Sequence, residues 1–179
     1  MKPVSNNFKK EVEERSGQKI RLCYSCFKCS LGCPVIFAMD YFPHQIIKMI
    51  QSGFKEKVLN SHTIWVCASC ETCGTRCPSN IDVAKVMDTL REMAIEERVP
   101  LAEKKVAQFH RSFLDSVKKH GRLFEFGMMG DYKIKSRDIS FKKDISLARE
   151  TYKKGKLMFK PDNIKGIKEI KEMFKKAGF

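Results

Sequence analysis

The phrase CYSCFKCSLGCP carries Cys23, Cys26, Cys29 and Cys33, and 44 residues later CASCETCGTRCP carries Cys67, Cys70, Cys73 and Cys77. Both follow C-x2-C-x2-C-x3-C-P, and together they hold all eight cysteines of the 179-residue chain. This is the ligand run of a four-iron, four-sulfur cluster, in which the first three thiolates wrap one cube. The proline after the fourth cysteine removes a backbone N–H and fixes its own φ, so the chain leaves the cube in a defined direction. Pro34 and Pro78 hold that place. In two-cluster proteins of this spacing the fourth cysteine serves the other cluster. The expected cofactors are therefore two 4Fe-4S clusters. One takes Cys23, Cys26, Cys29 and Cys77; the other takes Cys67, Cys70, Cys73 and Cys33. Exchange of the fourth ligand would staple the two runs together.

Other uses of eight cysteines fit the sequence less well. A disulfide framework belongs to secreted chains, and no charged-then-apolar leader with a small-residue cleavage site opens this one. Zinc binds paired C-x-x-C knuckles tetrahedrally, but zinc sites seldom crowd four cysteines into one short run, twice. Thioredoxin-type redox chemistry needs a single C-x-x-C at a strand-to-helix turn, not overlapping sets.

The chain's formal charge of +14 is unevenly placed. Residues 1–100 hold 14 Lys and Arg against 11 Asp and Glu, whereas residues 101–179 hold 21 against 10. Composition thus changes where the cysteines end, near the Val99-Pro100 break. The expected division is a cluster-binding domain over 1–98 and a basic, mostly helical extension over 99–179. No apolar run approaches the roughly 20 residues of a membrane-spanning helix. Thiolates awaiting clusters call for a reducing compartment, so a cytoplasmic location is expected.

The segments around the cysteines read as helices. PHQIIKMIQSGF predicts a helix from Pro43, with Ile46, Ile47 and Ile50 on one side and a stop at Gly53. After Pro78, Ser79 or Asn80 is placed to cap a helix to about Arg98, whose Val83, Val86, Leu90 and Met93 share a face. Ala102, Val106, Phe109, Phe113 and Val117 predict another apolar stripe, with Lys118, Lys119 and His120 near its C-terminal dipole before Gly121. Few segments alternate as strands do, so an all-α, helical ferredoxin-like fold is expected rather than the small β-rich ferredoxin.

With paired runs 44 residues apart, a helix ending at Gly53 between them, and Ile64-Trp65 before the second run, residues 18–98 resemble a known helical cluster domain. It occurs at the C-terminus of succinate dehydrogenase and fumarate reductase iron-sulfur subunits. The resemblance is greater to the C subunit of heterodisulfide reductase. Succinate dehydrogenase-like subunits add an upstream plant-type cluster domain and often vary the ligands of the helical one, and this chain does neither. The resemblance implies an electron-transfer subunit of a soluble complex active in methanogenesis. It would relay electrons from a flavin- and cluster-rich A-like subunit to a B-like subunit that reduces the coenzyme M–coenzyme B heterodisulfide. A hydrogenase or formate dehydrogenase could complete the assembly. The alternative is a helical ferredoxin-like relay for another dehydrogenase or a quinone-linked oxidoreductase.

No independent catalytic site is expected, because no nucleophile-base pair, Gly-rich phosphate loop or paired carboxylate stands out. His44, His62, His110 and His120 are scattered and read as structural. Met39, Met49, Met87 and Met93 read as core filler. Gly32 and Gly74, beside cysteines, either ease tight turns or let backbone amides approach the sulfurs. Trp65, Phe27, Val35, Ile36 and Phe37 either line the clusters or belong to the ordinary core.

The basic half reads best as a partner-docking arm, in which FEFGMMG and PDNIKGIKEIKEMFKKAGF supply apolar anchors with a basic rim. Ile167, Ile170 and Phe174 on one face of the last helix would also suit a membrane surface. Phe124, Tyr132, Phe141 and Tyr152 among lysines would suit nucleic acid, but no recognised motif accompanies them.

Overall fold

A computed structural model describes residues 7–136, 149–155 and 160–178. Phe141 lies outside them. The described residues contain helices and turns and no strand, as the all-α expectation requires. Two compact units divide the chain, residues 1–103 and 104–179.

The first unit contains seven α-helices: α1 (Phe8–Ser16), α2 (Lys28–Leu31), α3 (Pro43–Gln51), α4 (Lys55–Leu59), α5 (Thr63–Val66), α6 (Thr72–Thr75) and α7 (Val83–Glu96). Single 3-10 turns at Ile20–Leu22 and Ile36–Ala38 join them. α7 is the spine, packing against α1, α4, α5 and α6. Its Val86, Met87, Leu90 and Met93 are almost wholly buried, as the three-four spacing predicted. α3 packs on α1, α2 and α4 and buries Ile46, Ile47 and Ile50, and Gly53 takes the left-handed φ of 74° just beyond it. Removing any of these isoleucines from water is worth about 2–3 kcal/mol.

Two elements differ from expectation. Residues 8–16 form a helix that the polar opening of the sequence conceals. Only Phe8 and Val12, four apart, carry its apolar face, and both are fully buried. Arg15 pairs with Glu96 at 2.6 Å, and Lys55 meets Glu11 at 3.2 Å and Glu97 at 2.6 Å, tying α1 to α4 and the end of α7. The cap of α7 is also neither Ser79 nor Asn80. Asp82 caps it, accepting from the Lys85 N–H at 3.0 Å. Ser79 instead donates to the Leu22 carbonyl at 3.0 Å, and Asn80 takes a left-handed φ of 51°. A carboxylate three residues before the Lys85 N–H serves both the orphan donor and the helix dipole.

Asp40 orders the approach to the second cysteine run. Its carboxylate accepts from the backbone N–H groups of His62 and Thr63, both at 2.9 Å, and from the Thr63 hydroxyl at 2.7 Å. It thereby caps α5 from a distant loop. Burial pushes the Asp40 carboxyl up, but the donors from His62, Thr63 and Tyr41 outweigh it and hold the group below the usual carboxylate range.

The second unit contains α8 (Lys104–His120), α9 (Glu125–Ser136) and α10 (Ile167–Lys176), with α9 and α10 both packed on α8. α8 ends where predicted, at Gly121 with φ of 78°. Its apolar stripe is only half covered, with Phe109 and Phe113 each 39% exposed. Its buried residues are Ser112 and Ser116. Ser112 donates to Asp131 at 2.7 Å, and Ser116 accepts from the Phe124 N–H at 3.0 Å.

Because Asp40 gains hydrogen-bond donors only on folding, Asp40→Ala should cost about 1–2 kcal/mol at neutral pH, as loss of a helix cap does. A depressed folded-state pKa means that this stabilisation is complete above the ordinary carboxylate range and disappears as pH falls through the lower folded value. Chemical denaturation of both proteins under anaerobic conditions should therefore give a difference that narrows on acidification.

Candidate metal centre

The two cysteine runs fold alike. In the first, Ser25 and Phe27 flank Cys26 with φ of 59° and 64°; in the second, Ser69 and Glu71 flank Cys70 with φ of 48° and 59°. Each run then makes one helical turn, α2 or α6, that begins at the second of these left-handed residues. Cys33 N–H donates to the Ser30 carbonyl, and Cys77 N–H to that of Gly74, both at 3.1 Å. Ordinary side chains in the left-handed region cost about 1–2 kcal/mol each, and such costs gather at functional sites. The return is direction. Alternation between left- and right-handed residues turns successive N–H groups inward, making the concave nest that receives anions and iron-sulfur centres.

α2 packs against α6, which sets the runs side by side. Cys23, Cys26, Cys29 and Cys77 line one hollow, with Tyr24, Phe27, His44, Ile47 and Ile81 in its walls. Cys33, Cys67, Cys70 and Cys73 line a second, walled by Val35, Met39, Pro43, Ala84 and Met87. Their empty volumes are about 390 and 360 Å3, open solvent included. Val83 borders both. Each hollow thus gathers three cysteines of one run and the last cysteine of the other.

The thiol chemistry suits a cationic guest. Burial pushes the Cys29 thiol up against the help of the Ser30 hydroxyl, and burial likewise raises Cys67. Burial and the neighbouring Cys67 push Cys73 up to about 11. Thiolates in such surroundings need positive charge beside them. Cys70 is the contrast: the Thr72 hydroxyl, 3.5 Å away, and the Thr72 N–H lower it. The Ser69 and Gly74 N–H groups favour charge on Cys67 and Cys73. Among the described residues, no group of His, Cys, Asp or Glu is gathered closely enough for a single metal ion. A four-iron cube instead holds its four sulfurs apart at its corners, and four cysteines around a largely apolar hollow suit it.

The residues beside the cysteines divide differently from expectation. Gly74 does bring its N–H to a sulfur. Gly32 has an ordinary φ of −99°, and a Cβ there would meet the Arg76 guanidinium, so its smallness accommodates that side chain. The left-handed turns fall on residues other than glycine. Trp65 is core at 3% exposure, whereas Phe27 and Phe37 are 50% and 86% exposed. His44 is the unforeseen neighbour. It lines the first hollow, stacks edge-on to Phe27 at 4.4 Å, and has Nδ1 2.7 Å from the Ser30 Oγ. Burial holds its pKa below the usual histidine value. Nothing in its spacing relative to the cysteines marked it.

Comparison with known proteins points the same way. The 4Fe-4S dicluster domain family matches residues 19–81, from just before the first run to just beyond the second. The CoB–CoM heterodisulfide reductase iron-sulfur C 2 subunit of Methanocaldococcus jannaschii is 29% identical over 137 residues, 71% of this chain and 73% of that protein. The chain is a homologue of heterodisulfide reductase C subunits. The ferredoxin:CoB-CoM heterodisulfide reductase C subunit of Methanosarcina acetivorans is 33% identical over 55% of this chain and 39% of its own length. The H(2):CoB-CoM heterodisulfide,ferredoxin reductase C subunit of Methanothermobacter marburgensis is 26% identical over 51% of this chain and 49% of its own. The chain therefore spans half or less of these last two relatives. No helix among the described residues is long and apolar enough to cross a membrane.

Since the left-handed turn at residue 71 is made by an exposed glutamate, Glu71→Gly should raise the thermal stability of the cluster-loaded protein by about 1 kcal/mol. Glu71→Val should lower it, because a β-branched residue strongly resists that conformation. Equal stability of the two variants would contradict the backbone described.

Proposed function

We propose that this chain is a two-cluster electron relay in a heterodisulfide reductase, passing electrons from a flavin-bearing A-like subunit to a B-like subunit. That partner would reduce the heterodisulfide of coenzyme M and coenzyme B. The observation that carries the reading is the gathering of eight cysteines around two adjacent hollows, four to each, in a homologue of C subunits. One 4Fe-4S cluster is held by Cys23, Cys26, Cys29 and Cys77, the other by Cys67, Cys70, Cys73 and Cys33. When bound, the clusters supply one-electron storage at potentials set by charge, hydrogen bonds and exposure.

The chain's own contribution is placement and shielding. Left-handed turns at Ser25, Phe27, Ser69 and Glu71 aim the runs. Ile47, Ile81, Val83 and Met87 border the hollows from the buried core and keep water from their inner walls. Packing of α2 on α6 keeps the centres adjacent. Exposed Tyr24 and Phe27 at the first hollow and exposed Cys70 at the second leave each an outer edge that a partner can approach. The basic second unit, with α8 incompletely covered, is the part proposed to dock the chain onto its complex. The helical relay of another dehydrogenase or a quinone-linked complex would use the same cluster domain, and partner identity separates the two readings.

Anaerobic purification from the native source tests this directly. The expected complex contains a flavoprotein and a second iron-sulfur subunit with heterodisulfide reductase activity, and this chain contributes about eight iron atoms with matching acid-labile sulfide. A dicarboxylate-oxidising or quinone-linked partner would transfer the relay to another enzyme. Zinc in place of iron would end the electron-transfer reading.

A further inference from the structure

The two hollows differ in their charged surroundings. Arg91, on α7, has a side chain only 11% exposed and reaches toward the second run. Its Nη2 donates to the Ser69 Oγ at 2.9 Å, between Cys67 and Cys70, and to Asp88 at 2.6 Å. Its Nε is buried and has no hydrogen-bond partner among the described residues. A buried guanidinium donor without an acceptor is costly unless an anionic group completes the site. Asp88 is 54% exposed, so water screens its charge more than that of Arg91.

Neither hollow has Lys or Arg in its walls, but among the described residues no guanidinium hydrogen-bonds to the first run as Arg91 does to the second. In the first hollow His44, whose pKa burial lowers, and the phenol of Tyr24 are the titratable lining groups besides cysteine. Lys28 and Arg76, adjacent in sequence to Cys29 and Cys77, are exposed to solvent. A buried positive charge stabilises the reduced, more negative state of a cluster and raises its potential.

We infer that Arg91, held by Ser69 and Asp88, raises the reduction potential of the centre bounded by Cys67, Cys70, Cys73 and Cys33 above that of its neighbour. The inference rests on the two-cluster reading above and deepens it. An electron shared between adjacent centres then resides on the second, and the partner at that edge receives it. Arg91 acts through its field on the centre and is a positioning residue for the electron, not a ligand.

Redox titration of the intact cluster-loaded protein, followed by paramagnetic resonance, tests this. The centre perturbed by Cys70→Ser identifies the second hollow. Arg91→Gln should lower that centre's one-electron reduction constant about tenfold, a downward shift of about 59 mV, and move the other centre much less. Arg91→Lys should restore most of the difference, a rescue that a purely packing role would not produce. Asp88→Asn, which removes the opposing charge and keeps an amide oxygen to accept from Arg91, should raise the same potential. Unchanged potentials in Arg91→Gln and Asp88→Asn, or equal shifts of both centres, would overturn the role of Arg91 while leaving the relay intact. Failure to find two four-iron centres in the unsubstituted protein would overturn the relay and this inference together.

Discussion

Everything in the cluster-binding unit depends on the side-by-side packing of two short turns, α2 and α6, each launched by a left-handed residue that is not glycine. The local conformation is unfavourable at Phe27 and Glu71. It persists because the surrounding helices over-determine it. Ser30, the first buried residue of α2, hydrogen-bonds both the ring and the backbone N–H of His44 and so ties that turn to α3. On the other side, Asp40 gathers Tyr41, His62 and Thr63 and fixes the short helix that leads into Cys67. Asp82 accepts from Lys85, and its own N–H donates to Gln18 at 2.8 Å, so the exit from the second run is tied back to the entry of the first. α7 then closes the unit from below with a continuous apolar face.

This arrangement suits a helical scaffold to the two clusters proposed. Each hollow needs walls that exclude water on the inside and an edge that a partner can approach on the outside. α3 and α7 supply the inner walls through Ile47, Val83 and Met87. Loop residues supply the edges. The same amide-rich turns that strain the backbone offer donors to sulfur, so the cost of the left-handed residues is met within the site they build.

Much of this was legible in the sequence. Cysteine spacing identifies the metal chemistry because thiolate geometry leaves few alternatives, and three-four apolar spacing places α3, α7 and α8 within a few residues of their ends. What escaped depends on long-range contacts. Asp40 caps a helix more than 20 residues away. Asp82 wins the cap from Ser79 and Asn80 because those residues are engaged elsewhere in the turn. α1 shows only two apolar residues, and its burial follows from α7. His44 reads as structural, and nothing in the sequence marks Arg91, until folding brings them beside cysteines. The stripe on α8 was visible, but not that Phe109 and Phe113 on it stay 39% exposed.

The central claim is that each centre takes its fourth sulfur from the opposite run. Cluster-resolved paramagnetic resonance on three single variants, Cys26→Ser, Cys70→Ser and Cys77→Ser, measures it most directly. If the ligands are exchanged, Cys77→Ser perturbs the same centre as Cys26→Ser and leaves the centre altered by Cys70→Ser nearly intact. If Cys77→Ser instead perturbs the centre altered by Cys70→Ser, each run holds its own cluster and the account is wrong.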